Sequence, residues 1–431
     1  MHQRQAYRGG VLHFTGHPVK AEEPPYEYWA DGLLLVCDGK IEWVGAWTDA
    51  RIPAGTPVTE YPHHLLIPGF IDTHTHYPQT QMIAAYGEQL LDWLERYTFP
   101  VETQFADPEH CAAIARWFLD ELLRNGTTTA LVFCTVHPCS VDALFQEAWE
   151  RRMRLIAGKV MMDRHAPEAL LDTPDSSYTE SQELIERWHG VDRLAYAVTP
   201  RFAPTSSPDQ LALAGKLLKQ YPGLYLHTHL SENKAEIDWV RALYPAARNY
   251  LDVYAGAGLL GPRSVFAHGI HLCEEEWCAL ADTDSVLAHC PSSNLFLGSG
   301  LFRLNQAQAV GVRVGMGTDV GAGTSFSMLE TLGDAYKVQQ LQAEKLSPVK
   351  ALYMATLGGA RALSVDHLIG SFKPGYEADF TVLDLEATPL LKQRLPYCSE
   401  LSERLFVLQT LGDDRCTEAT YVMGQCLYQR Q

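Results

Sequence analysis

The sequence predicts an α/β protein, a (β/α)8 TIM-like barrel carrying a small β-sandwich domain built from both chain ends. Three features lead there. Short β-branched runs alternate with amphipathic stretches through the middle of the 431-residue chain, as βα units on a parallel sheet require. Eight such runs can be counted. Both flanks, in contrast, are glycine-punctuated alternating patterns without helices of barrel size.

Taken in order, the barrel strands are expected at LLIPGFIDTHTH (65–76), TTALVFCTVH (128–137), RLIAGKVMMD (154–163), LAYAVTPRF (194–202), LYLHTHLSE (224–232), SVFAHGIHL (264–272), SVLAHCPSSN (285–294) and VRVGMGTDVG (312–321). Helices fall between them. In PEHCAAIARWFLDELLRNG (108–126) apolar residues recur at three and four, and Gly126 is placed to stop the helix. DQLALAGKLLKQYPG (209–223) repeats the pattern. The flanking strand patterns, DGLLLVCDGKIEWVGAW, LIGSFKPGYEADFTVLDL and TEATYVMGQCLYQ, place a composite β-domain in residues 1–67 and 367–431, with the barrel at 68–366 inserted between them.

Composition narrows the function classes. With 46% hydrophobic and 20% charged residues the chain reads as globular. A formal charge of −18 would repel nucleic-acid phosphate and anionic lipid, so a small neutral substrate fits better than either. The basic start is followed by no apolar h-region and no apolar run reaches membrane length, which points to a cytoplasmic protein. Ten cysteines without a CxxC read as small hydrophobes in a reducing compartment.

In a barrel the chemistry sits at the C-terminal strand ends. There His74-Thr75-His76 closes the first strand, and alternation sends both imidazoles to one face. Spacing alone is weak, since His227-Thr228-His229 repeats it in the fifth strand. The pattern gains force from position. His229, His268 and Asp319 lie at the ends of the fifth, sixth and eighth strands, so all converge on one mouth. Three imidazoles and a carboxylate suit zinc, with iron left open by ligand type.

PGFIDTHTH (68–76), the H-x-x-E of HLSE (229–232), AHG (267–269) and GTDVGAG (317–323) together resemble the amidohydrolase superfamily. The resemblance implies a metal-dependent hydrolase barrel with His74, His76, His229 and Asp319 as metal ligands. His268 would orient the water, making Glu232, Asp319 and His268 the catalytic set. HTHYPQ (74–79), GEQLLDWLERYTFP (87–100), NGTTTALVFCTVH (125–137), GKVMMDRHAP (158–167), TPRFAPTSS (199–207) and HCPSSNLFLGSG (289–300) are similar to the bacterial guanine deaminase family over nearly the whole chain. That likeness implies deamination of guanine to xanthine and ammonia, one zinc per subunit and a homodimer. The residues it implies at the substrate are His76, Tyr77, Pro78, Gln79, Arg201, Phe202, His229 and Asp319, with Gln79 and Arg201 hydrogen-bonding ring nitrogens and the carbonyl.

Elementary chemistry agrees with the family's pocket. A buried donor such as Arg201 rewards an oxo-heterocycle and is left unpaired by a ring lacking the carbonyl. Glu232, three residues after His229, can move protons if a partly desolvated pocket raises its pKa. Strand four carries no lysine to bridge two metals, and Lys159, in strand three, reads as structural, so one metal is expected. No P-C-x-x-C is present for the other zinc deaminase fold. His137 and His271 read as supporting residues rather than ligands, His63 and His64 as facing solvent or the β-domain, and His289 as a residue near the pocket lid. The alternatives are 8-oxoguanine or a pterin as substrate, a barrel without activity, and an amidase opening cyclic ureides.

Overall fold

The computed structural model describes residues 3–18, 23–86 and 89–431. Gly87 and Glu88, which open the GEQLLDWLERYTFP segment, and the first two residues of the basic start lie outside the described residues. Sixteen strands are described: β1 (Arg4–Phe14), β2 (Tyr26–Cys37), β3 (Lys40–Ala46), β4 (Val58–Pro68), β5 (Phe70–His76), β6 (Thr127–Phe133), β7 (Arg154–Gly158), β8 (Val160–Met161), β9 (Leu194–Pro200), β10 (Tyr225–Leu230), β11 (Ser264–His268), β12 (Val286–His289), β13 (Arg313–Met316), β14 (Phe380–Asp384), β15 (Thr417–Val422) and β16 (Gln425–Gln429).

One sheet runs β13-β12-β11-β10-β9-β7-β6-β5, with the short β8 beside β9. Its pairings are parallel, for example Val286 against Arg313 and Val265 against Val286. The ring closes between β13 and β5, where the Thr73 hydroxyl donates to the Met316 carbonyl and the Asp319 N–H donates to the His74 carbonyl, both at 2.9 Å. Gly315 permits that approach. A Cβ there would stand 2.3 Å from Thr73 Cγ2, well inside contact distance.

All eight expected barrel strands are present. The first needs correction, because LLIPGFIDTHTH is not one strand. Its first half ends β4 in the other sheet, and only Phe70–His76 enters the barrel. The chain changes partners at Gly69, whose N–H donates to the Asp379 carbonyl, whereas the N–H of Phe70 donates to Gly126. Pro68, which has no N–H to continue a ladder, precedes the break. The third run is likewise split at Lys159 into β7 and β8.

The chain separates into two compact units, one of Met1–Asp72, Asp120–Thr129 and Phe326–Gln431, the other of Thr73–Leu119 and Ala130–Ser325. In the first, the sandwich expected from the chain ends takes the form of one continuous seven-stranded mixed sheet, β16-β15-β14-β4-β1-β2-β3. Alternation supplies a core on each face: Tyr7 and Leu34 join Leu66, Phe380 and Tyr421, while Ala6, Leu33 and Leu35 turn the other way toward Trp43 and Trp47. Gly126, at φ +80°, ends the helix Pro108–Arg124 as expected.

The second unit holds the convergence of polar strand ends. Every residue of β5, FIDTHTH, is buried. A strand covered on both faces has no solvent side for polar groups, so Thr73, His74, Thr75 and His76 must find partners inside the protein or bind something.

Candidate metal centre and pocket

The inward imidazoles of β5 meet those of β10 and the carboxylate that follows β13. His74 Nε2 and His76 Nε2 are 3.3 Å apart, as are His76 Nε2 and His229 Nε2. Asp319 Oδ1 lies 3.1 Å from His74 Nε2 and 3.2 Å from His76 Nε2. Zinc–nitrogen bonds of about 2.05 Å would set tetrahedral ligand edges of about 3.3 Å, so these separations fit one small cation. The proton positions agree. His229 Nδ1 faces the Arg201 carbonyl at 2.7 Å and must donate to it, which leaves the Nε2 lone pair pointing at the cluster. His74 Nδ1 lies 2.7 Å from His227 Nε2, and with His74 Nε2 turned to the cluster as a ligand it would donate there. Burial drives His76 down to about 3, with Asp319 opposing, and holds His229 well below the usual imidazole range. Asp319 resists its own burial because the adjoining imidazoles, His74 first, keep it well below the carboxylate range. Converging imidazole nitrogens and a carboxylate oxygen at these separations are a donor set that one cation would satisfy.

His268 also brings a ring nitrogen into a group with His74, His229 and Asp319 whose ligand atoms all lie within 4.8 Å of one another. It stands farther out than His76 does. Its Nε2 is 3.8 Å from Asp319 Oδ2 and 3.4 Å from Glu232 Oε2, and its Nδ1 is 2.9 Å from Asn294 Oδ1. The backbone here is unusual: Ser231, His268 and Asp319 all have φ between +48° and +71°. Such left-handed conformations in non-glycine residues collect where function demands a geometry.

Glu232 follows β10 by two residues and is 3% exposed. Its Oε1 accepts from the Ser299 hydroxyl at 3.1 Å. Burial, reinforced by the nearby Asp319 charge, pushes its carboxyl up to about 8. The next acidic residue, Glu236, accepts the backbone N–H groups of Glu232 and Asn233, each at 3.0 Å, and the Tyr250 hydroxyl at 2.7 Å. It thereby caps the helix Lys234–Leu243 and holds the backbone from which Glu232 projects.

A pocket opens over these groups, walled by Leu90, Trp93, Leu94, Phe202, Leu297 and Ala322. Its polar end carries Gln79 and Arg201, only 2% and 3% exposed. Arg201 Nη1 donates to Glu102 Oε2 at 2.7 Å and Gln79 Nε2 to Glu102 Oε1 at 3.1 Å, while Gln79 Oε1 accepts the Gly321 N–H at 3.2 Å. Tyr77 and Pro78 are elsewhere. The Tyr77 hydroxyl donates to the Ser140 carbonyl at 2.7 Å, its ring packs on Phe105 and Phe118, and Pro78 starts the 3-10 turn that delivers Gln79.

These features, an HxH on the first strand, a histidine on the fifth and an aspartate after the eighth, fall within residues 65–427, which match the amidohydrolase family model. The chain belongs to the amidohydrolase family. Among members of that family it is similar to the guanine deaminase of Escherichia coli (strain K12), 54% identical over 433 residues that cover 100% of this chain and 99% of the relative. The solved E. coli guanine deaminase superimposes with a TM-score of 0.98 at 55% identity, covering 99% of this chain and 100% of that one. A guanine deaminase from C. acetobutylicum, solved with guanine bound in its active site, gives 0.89 at 29% identity, with 99% and 100% covered.

Several residues in this amidohydrolase site escaped the sequence reading. Glu102 lies two residues beyond the GEQLLDWLERYTFP segment, and the signal that could have found it is an acidic residue inside an amphipathic apolar run. His227 was visible as half of the second His-x-His. Nothing in the local sequence marks Ser299 or Glu236. Of the residues set aside, Lys159 is fully buried and pairs with Asp172 and with Glu180 at 3.2 Å. His271 Nε2 donates to the Ser299 carbonyl at 2.8 Å, and His289 stacks on Phe302 at 4.5 Å without lining the cavity. His137 precedes the helix Pro138–Glu150, and His64 lies opposite Asp384 in the seven-stranded sheet. All ten cysteines are free, five of them buried and three exposed.

Proposed function

We propose that this chain is a hydrolytic guanine deaminase that releases xanthine and ammonia and holds one zinc ion per subunit on His74, His76, His229 and Asp319. The observation that carries the reading is a buried Glu232 that lines, together with His76, His229 and Asp319, a pocket that also presents Arg201 and Gln79. When bound, the ion would supply Lewis-acid activation of water at neutral pH.

The protein's own residues supply the rest. Arg201 and Gln79 donate to the ring carbonyl and to a ring nitrogen that carries a lone pair, which orients the amino-bearing carbon toward the metal end. Phe202 and Trp93 wall the ring and exclude water. Glu232 gives its proton to the ring nitrogen beside that carbon, so negative charge does not build on the ring; of the two protons the attacking water sheds, one passes through Glu232 to the departing amine and one restores Glu232. Because Nδ1 of His268 carries a proton toward Asn294, its Nε2 is free to orient the attacking water with Asp319. The products leave as neutral ammonia and an oxo-ring.

The same reading makes the working form a cytoplasmic homodimer. Family resemblance supports the dimer and ten free cysteines suit a reducing compartment. Among the described residues no helix is long and apolar enough to cross a membrane. Ammonia release by purified protein of measured metal content, with guanine, 8-oxoguanine and a pterin in parallel, tests the substrate. Turnover confined to guanine is expected, and turnover of either other ring without guanine would overturn it. Zinc at one equivalent and a dimer in sedimentation complete the expected result.

A further inference from the structure

We propose that Glu102 is the positioning residue of the recognition end, setting the direction of both Arg201 and Gln79 and making the pocket selective for uncharged rings. This deepens the deaminase reading and rests on it for the identity of the ring. Glu102 is 1% exposed and sits on the short helix Phe99–Glu102, away from the 3-10 turn that carries Gln79 and from the residue after β9 that is Arg201. Each of its oxygens is committed to a different donor, Oε2 to Arg201 Nη1 at 2.7 Å and Oε1 to Gln79 Nε2 at 3.1 Å.

The consequences follow from donor counting. Gln79 Oε1 accepts from Gly321, so its amide cannot turn over without losing both bonds, and one N–H of Nε2 remains for a ligand acceptor. Arg201, held at Nη1 and lying over the Phe99 ring at 5.6 Å, lines the cavity and has donors beyond the one that Glu102 takes. A lone buried guanidinium would draw an anionic ligand. With the Glu102 carboxylate beside it the local charge is balanced, and the end of the pocket offers directed donors to a neutral carbonyl and ring nitrogen instead. Glu102 touches no reacting atom and acts through its two partners.

Binding of two unreactive purines tests this apart from turnover: hypoxanthine, a neutral oxopurine, and urate, which is anionic at neutral pH. Glu102→Gln should weaken hypoxanthine by about ten-fold or more, the cost of misdirecting a charge-assisted bond, and shift the urate-to-hypoxanthine affinity ratio by at least about ten-fold toward urate. KM for guanine should rise by about ten-fold while kcat stays within about three-fold and metal content is unchanged. Glu102→Gln/Arg201→Gln removes both charges and leaves no lone buried ion. It should return the ratio to within about three-fold of wild type while hypoxanthine affinity stays about ten-fold down. If the single variant does not fold, the double decides alone: loss of hypoxanthine affinity with the ratio kept supports the proposal, and retained affinity overturns it. An unchanged ratio in Glu102→Gln, or no binding of hypoxanthine by wild type, also overturns it. Wild type that binds hypoxanthine but leaves guanine intact would instead sink the deaminase reading alone.

Discussion

Two residues show how much chemistry rests on burial. Glu232 holds a proton near neutrality because desolvation and the Asp319 charge both penalise its ionised form. Glu232→Gln keeps the size and a hydrogen-bonding group for Ser299 but cannot shuttle a proton. We expect kcat to fall by about 100-fold or more with metal content retained, and steady-state rates on metal-analysed protein would check it. His227 works one step back. Its Nε2 lies 2.7 Å from His74 Nδ1, where it would accept that proton and direct the His74 lone pair at a bound ion. His227→Phe should weaken metal binding by about 10- to 100-fold, read as a lower chelator concentration at half-loss of metal.

At the scale of the element, the turn from β10 into the helix Lys234–Leu243 carries both a functional and a structural carboxyl. Glu236 caps that helix, yet burial first and the Glu232 charge second raise it from an ordinary 4.5 to about 7. Because the folded-state value lies above the unfolded one, its proton-linked stability is fully present below about 4.5 and is lost as pH rises through about 7. The shift corresponds to something on the order of 3 kcal/mol between those limits. Glu236→Gln retains an acceptor for the Glu232 and Asn233 amides but does not ionise. Its melting temperature should therefore decline less between pH 5 and pH 8 than that of wild type, measured by calorimetry.

Over the whole molecule, the strand ends bring together donor groups that one cation would satisfy. Removing the metal should destabilise the folded protein, because the ion binds the native arrangement and not the separated ligands of the unfolded chain. At a free metal concentration a thousand-fold above Kd the linkage is about 4 kcal/mol. A melting temperature lower by several degrees after chelation, restored by stoichiometric zinc, is the expected result. Equal melting with and without metal would count against the cluster as a binding site.

The barrel and the gathering of polar side chains at its strand ends were legible in the sequence because each rests on a short-range rule. Alternation puts His74 and His76 on one face of a strand, and the βα repeat places His229, Glu232, His268 and Asp319 at equivalent strand ends. Tyr77 and Pro78 show the limit of a motif, since they travel with Gln79 in sequence but turn away from the cavity. The break at Gly69 was hidden for a related reason: an unbroken apolar run looks the same whether it pairs in one sheet or passes between two. Tertiary structure alone decided what the buried polar groups pair with. Glu102 reaches Gln79 and Arg201 from a separate helix, and His227 reaches His74 from another strand. Such partners are selected by the cost of leaving a charge or a lone pair unsatisfied in the interior, and that cost is written in space rather than along the chain.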